Sequence, residues 1–291
     1  MPGIFHVDHK IVAASVLAAT TGVALYSSWK VWSLKRKLKE NVCETSRNLH
    51  EYLTLHYASP KDVIGPWVNS IREEFISFPK RCADLCIHHG NTFNVNALNI
   101  GCAVGRSSFE LAKAYDHVLG IDHSNLFIDT CNILKEKGSL SYLSLIEGEL
   151  YDNLEATVDP SIDRTKVGFQ HGDACALPLN LGQFDCVLAS NVICKLKMPL
   201  NFLNRLPQLI SSTGILVIST SYSFSKEYTP RENWIGGFKT LDGSFTGFDG
   251  IKKCLEKHFH LVDEINQPML IKQTKREFQL TFNHIQIWKK I

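Results

Sequence analysis

The sequence predicts an α/β fold: a doubly wound, mainly parallel sheet that ends in an antiparallel C-terminal hairpin and follows one N-terminal transmembrane helix. Three observations predict it. From residue 94 onward short apolar runs alternate with helical patterns. The first of these runs ends in a glycine-rich turn that opens a helix. Residues 11 to 29 form a run of nineteen uncharged residues. The chain divides accordingly into an anchor with a basic flank (1–40), a helical lid or packing segment (41–91) and the main domain (92–291).

The bulk properties of the 291 residues, 44% hydrophobic and 21% charged, are those of an ordinary globular chain. A net charge of +2, with basic residues clustered only near 30–39, argues against nucleic acid and for a small-molecule partner. Nine cysteines occur without a CxxC pair or histidines at zinc-finger spacing, so no metal is called for. Several lie in apolar runs, as Cys186 does in FDCVLAS, and a reducing compartment suits them.

The apolar run IVAASVLAATTGVALYSSW would extend roughly 28 Å as a helix, about the thickness of a bilayer core. The nine leading residues carry no Lys or Arg, whereas Lys30, Lys35, Arg36, Lys37 and Lys39 follow the run. That asymmetry predicts a single-pass protein with its main domain in the cytosol. A soluble amphipathic helix is the competing reading, because Ala, Ser and Thr dilute the hydrophobicity. Residues 40 to 91 look helical, broken by Pro60, Pro66 and Pro79. Then NALNI, HVLGID, VGFQHGD, FDCVLAS and GILVISTS read as strands, with SSFELAKAY and LFIDTCNILKE as helices between them. Residues 148 to 164 form an acidic insertion without a regular pattern. From His258 onward a strand, a loop and the alternating FQLTFNHIQIW predict the edge hairpin.

The first strand leads into Gly101-Cys102-Ala103-Val104-Gly105-Arg106-Ser107. Gly101, Ala103 and Gly105 fall where a strand must turn sharply and backbone must approach a ligand, and the N–H groups at the helix start suit a carboxylate. The spacing is not that of a dinucleotide fingerprint, which needs GxGxxG. Seventeen residues beyond Gly105, HVLGID ends in Asp122, which can accept from both hydroxyls of a ribose. Its plainer reading is a helix N-terminal charge before Ser124. The third strand ends in His171-Gly172-Asp173-Ala174, where Asp173 can accept from an adenine amine and Ala174 can offer its N–H. The fourth delivers Asn191 to the same sheet edge, as a cofactor or substrate contact or as a turn residue.

Strand-GCAVGRSS-helix, GID, GDA and FDCVLASNVI together resemble class I methyltransferases over residues 92 to 291. That resemblance implies a Rossmann-like fold and S-adenosyl-L-methionine as cofactor. LHYASP, FPKRCA, GCAVGRSSFELA, FQHGDACALP and TPRENWIGG are similar, more narrowly, to the C-terminal methyltransferase of ovothiol biosynthesis proteins. This narrower resemblance implies methylation of an imidazole nitrogen of 4-mercaptohistidine. Two features depart from it: no sulfoxide synthase domain precedes this one, and a predicted anchor does.

The segment after the fifth strand is expected to line the acceptor pocket. Arg231 can pair with a carboxylate, Glu232 with an ammonium, Trp234 with a flat ring, and Tyr222 and Asn233 lie in the same stretch. Thr229-Pro230-Arg231-Glu232 also reads as a capping box with proline at the first helical position. His56, Tyr57 and His171 are candidates for a base by residue type, packing or capping being the alternative for each histidine. The predicted anchor admits a lipid or quinone as a rival acceptor, and a cofactor-binding adaptor without turnover is the non-enzymatic alternative.

Overall fold

The computed structural model describes residues 45–91 and 95–291. The predicted transmembrane run and its basic flank lie outside the described residues. Among those described, no helix is long and apolar enough to cross a membrane.

Among the described residues three α-helices precede the sheet: α1 (Ser46–Tyr57), α2 (Pro60–Ile64) and α3 (Phe78–His89). The prolines punctuate them as their chemistry demands. Pro60 and Pro79 sit in first turns, where a missing N–H costs nothing, and Ser59 caps α2 by accepting from Asp62 N. Then follow β1 (Asn96–Ile100), α4 (Arg106–Leu111), β2 (His117–Asp122) and α5 (Asn125–Lys137). The hydroxyl of Ser124 starts α5 by accepting from Phe127 N at 3.2 Å, and left-handed Gly138 ends it. Next come the hairpin β3 (Ser139–Glu147) and β4 (Leu150–Thr157), then β5 (Val167–His171), β6 (Phe184–Ser190), α6 (Pro199–Leu209) and β7 (Ile210–Thr220). The chain finishes with the short pair β8 (Phe238–Thr240) and β9 (Gly243–Phe245), α7 (Gly247–Leu255), β10 (Phe259–Lys272) and β11 (Phe278–Lys290).

The main sheet runs β10-β11-β7-β6-β1-β2-β5. The five strands from β7 to β5 are parallel, and β11 lies antiparallel between β7 and β10. The chain lays strands on one side of β1 and then on the other, so strand order reverses between β1 and β6. A crevice forms at the carboxyl ends there. Apolar residues cover both faces of β1, β6 and β7, as buried parallel strands require. One face packs Phe202, Leu206, Ile251 and Trp288 into a continuous core. The other receives α3, whose Cys82 and Cys86 are fully buried.

Two local expectations are corrected. The acidic stretch begins at a hairpin turn and takes in β4: the chain from Ser139 to Thr157 is an antiparallel hairpin turning at Gly148, with Tyr142 opposite Leu154. Its charge masked an alternation already visible in SLSYL. The expected helix after Thr229 is only a single 3-10 turn, Arg231–Asn233, without a side-chain cap. The Thr229 hydroxyl instead donates back to Leu196 O at 2.7 Å.

The C-terminal hairpin is longer than the strand it joins. β11 pairs with β7 only from His284 to Lys289, while it pairs with β10 as far as Phe278. Residues 267–283 therefore project beyond the carboxyl edge and meet the N-terminal helices. Arg81 Nη2 donates to Pro268 O, Lys272 Nζ donates to Asp62 O at 2.9 Å, and Trp67 Nε1 donates to Lys275 O at 2.9 Å. The hairpin root rests on Trp288, whose ring is fully buried and whose Nε1 donates to Gln286 Oε1 at 3.1 Å. Truncation of Trp288 to Ala is expected to cost about 3–5 kcal/mol of stability, read as a lowered urea midpoint in chemical denaturation.

Candidate active site

The turn after β1 is held in a shape few residues tolerate. Gly101, Ala103 and Gly105 have φ of 69°, 47° and 86°. Gly101 N and Cys102 N both donate to Ile121 O, at 2.8 and 3.1 Å. A Cβ on Gly101 would stand 2.4 Å from Val192 Cγ2, and one on Gly105 2.9 Å from the Phe169 ring. Ala103 carries a side chain in the left-handed region, as do Asn191 (φ 56°) and Tyr222 (φ 53°). These three stand past the ends of β1, β6 and β7, so backbone strain gathers along one sheet edge.

Asp122 joins the turn to its neighbour. Its buried carboxylate accepts from Ala103 N through Oδ2 at 2.9 Å and from Ser124 N through Oδ1 at 3.0 Å. Backbone donors use two of its roughly four lone-pair sites, and His123 Nδ1 stands 3.5 Å from Oδ1, so acceptor capacity for a diol lies mainly on Oδ2. The loop after β5 is tied in as well, since Gly172 N donates to Asp122 O at 2.9 Å. In that loop Asp173 accepts from Cys175 N at 2.8 Å, and Ala174 is half-buried. His171 stands opposite Asp122 in the β2–β5 register, exposed, with Nε2 3.0 Å from His123 O. It lies three strands from β6, on the far side of the glycine turn.

The helices α1 and α3 roof the turn. The Tyr57 hydroxyl donates to Val104 O at 2.8 Å, and Ser107 Oγ donates to Pro79 O at 2.7 Å. Arg106 stacks over the Tyr57 ring at 5.6 Å and donates to His56 O at 3.2 Å. Its Nε also pairs with the buried Glu110 at 2.6 Å, and Lys113 pairs with the second Glu110 oxygen at 2.7 Å. Burial, helped by the Arg106 charge and opposed by Asp122, pulls the His56 imidazole down to about 3. It stays neutral at ordinary pH and is a weak base. Burial pushes the Tyr57 phenol far up. Both residues shape the cleft rather than exchange protons at neutral pH.

Asn191 and the expected acceptor segment are arranged differently from one another. Asn191 Nδ2 lies 3.5 Å from Met269 Sδ, so it faces the projecting hairpin. The Tyr222 hydroxyl sits between His284 Nδ1 at 2.6 Å and Gln286 Nε2 at 2.9 Å, and burial raises its pKa. Arg231 is exposed, its guanidinium over the Trp234 and Phe238 rings at 4.8 and 5.0 Å. Trp234 Nε1 donates to Thr229 O, Asn233 Nδ2 donates to Lys197 O, and Glu232 is exposed. Residues 229–234 thus brace the loop that follows β6. Glu110, Arg106 and the buried polar residues of the projecting hairpin escaped the sequence reading. Their only sequence signal was a polar residue where an amphipathic pattern calls for an apolar one.

A parallel core with this glycine turn, an acid closing β2, a GDA loop after β5 and an antiparallel strand inserted beside β7 has the α/β fold of class I methyltransferases. Residues 98–218, from β1 through β7, match the family model described as Methyltransferase domain. The chain is an S-adenosylmethionine-dependent methyltransferase. Among solved structures it is similar to the N-methyltransferase NodS from Bradyrhizobium japonicum WM9 in complex with S-adenosyl-L-homocysteine, at 13% identity and a TM-score of 0.49, over 84% of this chain and 98% of that one. It is also similar to the YcgJ protein of Bacillus subtilis, at 11% identity and a TM-score of 0.48, over 72% of this chain and 97% of that one. No curated protein matches. Likenesses this distant say nothing of the methyl acceptor.

The residues present fit the cofactor: the glycine turn offers bare backbone, and Asp122 and Asp173 offer acceptors along the same edge. When bound, S-adenosylmethionine supplies an electrophilic methyl group for in-line displacement. Asp122→Ala is expected to weaken S-adenosylmethionine binding at least about tenfold by calorimetry, because it removes the acceptor and frees the turn. Gly101→Ala is expected to do the same, and adding Val192→Ala should not restore binding, since the positive φ persists.

His56 also sets a pH dependence. Its folded pKa of about 3 lies below the ordinary 6.5, so between those values the unfolded chain holds the extra proton. The contribution is fully present above pH 6.5 and is lost as pH falls, at up to about 1.4 kcal/mol per pH unit. Denaturation across pH 3 to 7 is expected to show a shallower acid limb for His56→Gln than for the wild type.

Proposed function

We propose that the enzyme methylates an imidazole ring nitrogen of 4-mercaptohistidine, the step of ovothiol-type biosynthesis that its motifs resemble. The observation that carries this reading is where those motifs meet. LHYASP supplies Tyr57 and the His56 carbonyl, and FPKRCA supplies the Pro79 carbonyl, and all three grip the glycine turn of GCAVGRSS. Two of the five segments behind the narrower resemblance thus build the roof over a third, the glycine turn, where an acceptor-specific wall belongs. A neutral imidazole has a free lone pair, so the chain's task is to align that nitrogen and keep water out. Tyr57, with its proton committed to Val104 O, fixes the roof, and the ring proton can leave to solvent after transfer. A small zwitterion also suits an edge rich in hydrogen-bonding groups better than a hydrocarbon does.

We propose in addition that residues 11–29 tether the domain to a membrane with the catalytic side in the cytosol, on the charge asymmetry that flanks them. The test uses the full-length chain in detergent with S-adenosylmethionine and 4-mercaptohistidine, followed by mass spectrometry. A product heavier by one methyl group, absent with Asp122→Ala, is expected. Methylation of added lipids or quinones with none of 4-mercaptohistidine would overturn the substrate.

A further inference from the structure

Buried polar side-chain atoms without a partner are costly, about 1–3 kcal/mol each, and folded proteins leave few of them. Nine occur among the described residues, and six belong to five residues: Arg81 Nε, Asn191 Oδ1, Ser219 Oγ, Gln267 Oε1, and both Nδ2 and Oδ1 of Asn283. They come from five different elements or their ends, so sequence proximity does not explain the concentration.

Strand register gathers them on one face. The Cys82 thiol of α3 lies 3.8 Å from Ser190 Oγ, which turns Ser190 toward α3. Ser190 is opposite Ser219, and Ser219 is opposite Ile285, so all three share that face. Asn283, two residues before Ile285, points the same way, and Gln267 is opposite Asn283. Two residues on, Met269 meets Asn191 Nδ2 at 3.5 Å, and between them the Pro268 carbonyl receives Arg81 Nη2. The circuit closes beside the cofactor, because Val192, next to Asn191, is the side chain against Gly101.

We infer that this buried patch is the acceptor-binding subsite, and that it takes a small amino-acid zwitterion. The assignment rests on the methyltransferase reading above and deepens it. Arg81 Nε–H and Asn283 Nδ2 are donors suited to a carboxylate. The amide oxygens of Asn283, Gln267 and Asn191 are acceptors suited to an ammonium or a ring N–H, and Ser219 can serve either way. A hydrocarbon acceptor would leave all six atoms unpartnered. Asn283 and Ser219, fully buried, are the innermost contacts, and Arg81 bridges roof and hairpin.

The test measures three quantities in the full-length protein carrying Asn283→Leu or Gln267→Leu, with Arg231→Ala as a control. They are KM and kcat for 4-mercaptohistidine, S-adenosylmethionine affinity by calorimetry, and melting temperature. The expected result for Asn283→Leu is a KM raised at least tenfold, unchanged cofactor affinity, and a melting temperature equal to or above that of the wild type, because an isosteric apolar side chain removes two unpartnered groups. Arg231→Ala should leave KM unchanged. An unaltered KM, or a lowered melting temperature, would overturn the subsite and make Asn283 a structural amide. If Asn283→Leu does not fold, the half-buried Gln267→Leu decides by the same KM criterion. A wild type inactive on 4-mercaptohistidine would sink that substrate alone. The melting comparison needs no acceptor, and would still uphold the patch if Asn283→Leu melts no lower than the wild type or overturn it if it melts lower.

Discussion

The Asp122 carboxylate is the interaction on which the cofactor cleft depends. A parallel sheet leaves its loops as separate excursions, and nothing in the strand pairing fixes one loop against the next. Asp122 supplies that fixing by accepting from Ala103 N on one side and Ser124 N on the other, while its own carbonyl takes Gly172 N. Three loops thereby become one surface. Its burial follows from the same contacts, since a carboxylate removed from water must find donors, and backbone N–H groups aimed by two strands provide them without side-chain entropy.

That rigidity carries a conformational cost. Ala103, Asn191 and Tyr222 hold left-handed backbone at the ends of three neighbouring strands. Such residues persist only where surrounding contacts over-determine them. Here those contacts come from above: Tyr57 on Val104, Pro79 on Ser107, and Met269 on Asn191. The N-terminal helices and the projecting hairpin therefore hold the strained edge as well as covering it. The buried Glu110 belongs to this arrangement, because Arg106 and Lys113 neutralise it while Arg106 reaches across to α1.

The parts legible in the sequence were those governed by local chemistry. Gly101 and Gly105 announced the turn because no other residue fits their φ and their neighbours, and Asp122 followed at the end of an apolar run. The terminal hairpin showed as alternation. The hairpin at Ser139–Thr157 was hidden because Glu149, Asp152 and Glu155 suggested an exposed irregular loop, although Tyr142, Leu154 and Ala156 give the pair a packed face. Thr229-Pro230-Arg231-Glu232 looked like a helix start, yet the Thr229 hydroxyl found a stronger tertiary partner in Leu196 O. Local propensity lost there to a contact from a segment more than thirty residues away.

Arg231 and Glu232 illustrate a deeper limit. Their charges suit a zwitterion, but charge in a loop says nothing about direction, and in the fold Arg231 lies over Trp234 and Phe238 at the surface. The buried hydrogen-bonding groups left without a partner come instead from Arg81, Ser219, Gln267 and Asn283, which no motif joins. They converge because β11 inserts between β7 and β10 and overruns β7, carrying Asn283 beyond the last residue that β7 can pair. Strand insertion is a property of topology, invisible to a reading along the chain. Topology thus determines which polar residues of an alternating strand lie over the crevice and which face solvent. The same alternation that turns Asn283 toward α3 turns His284 toward Tyr222 on the opposite face.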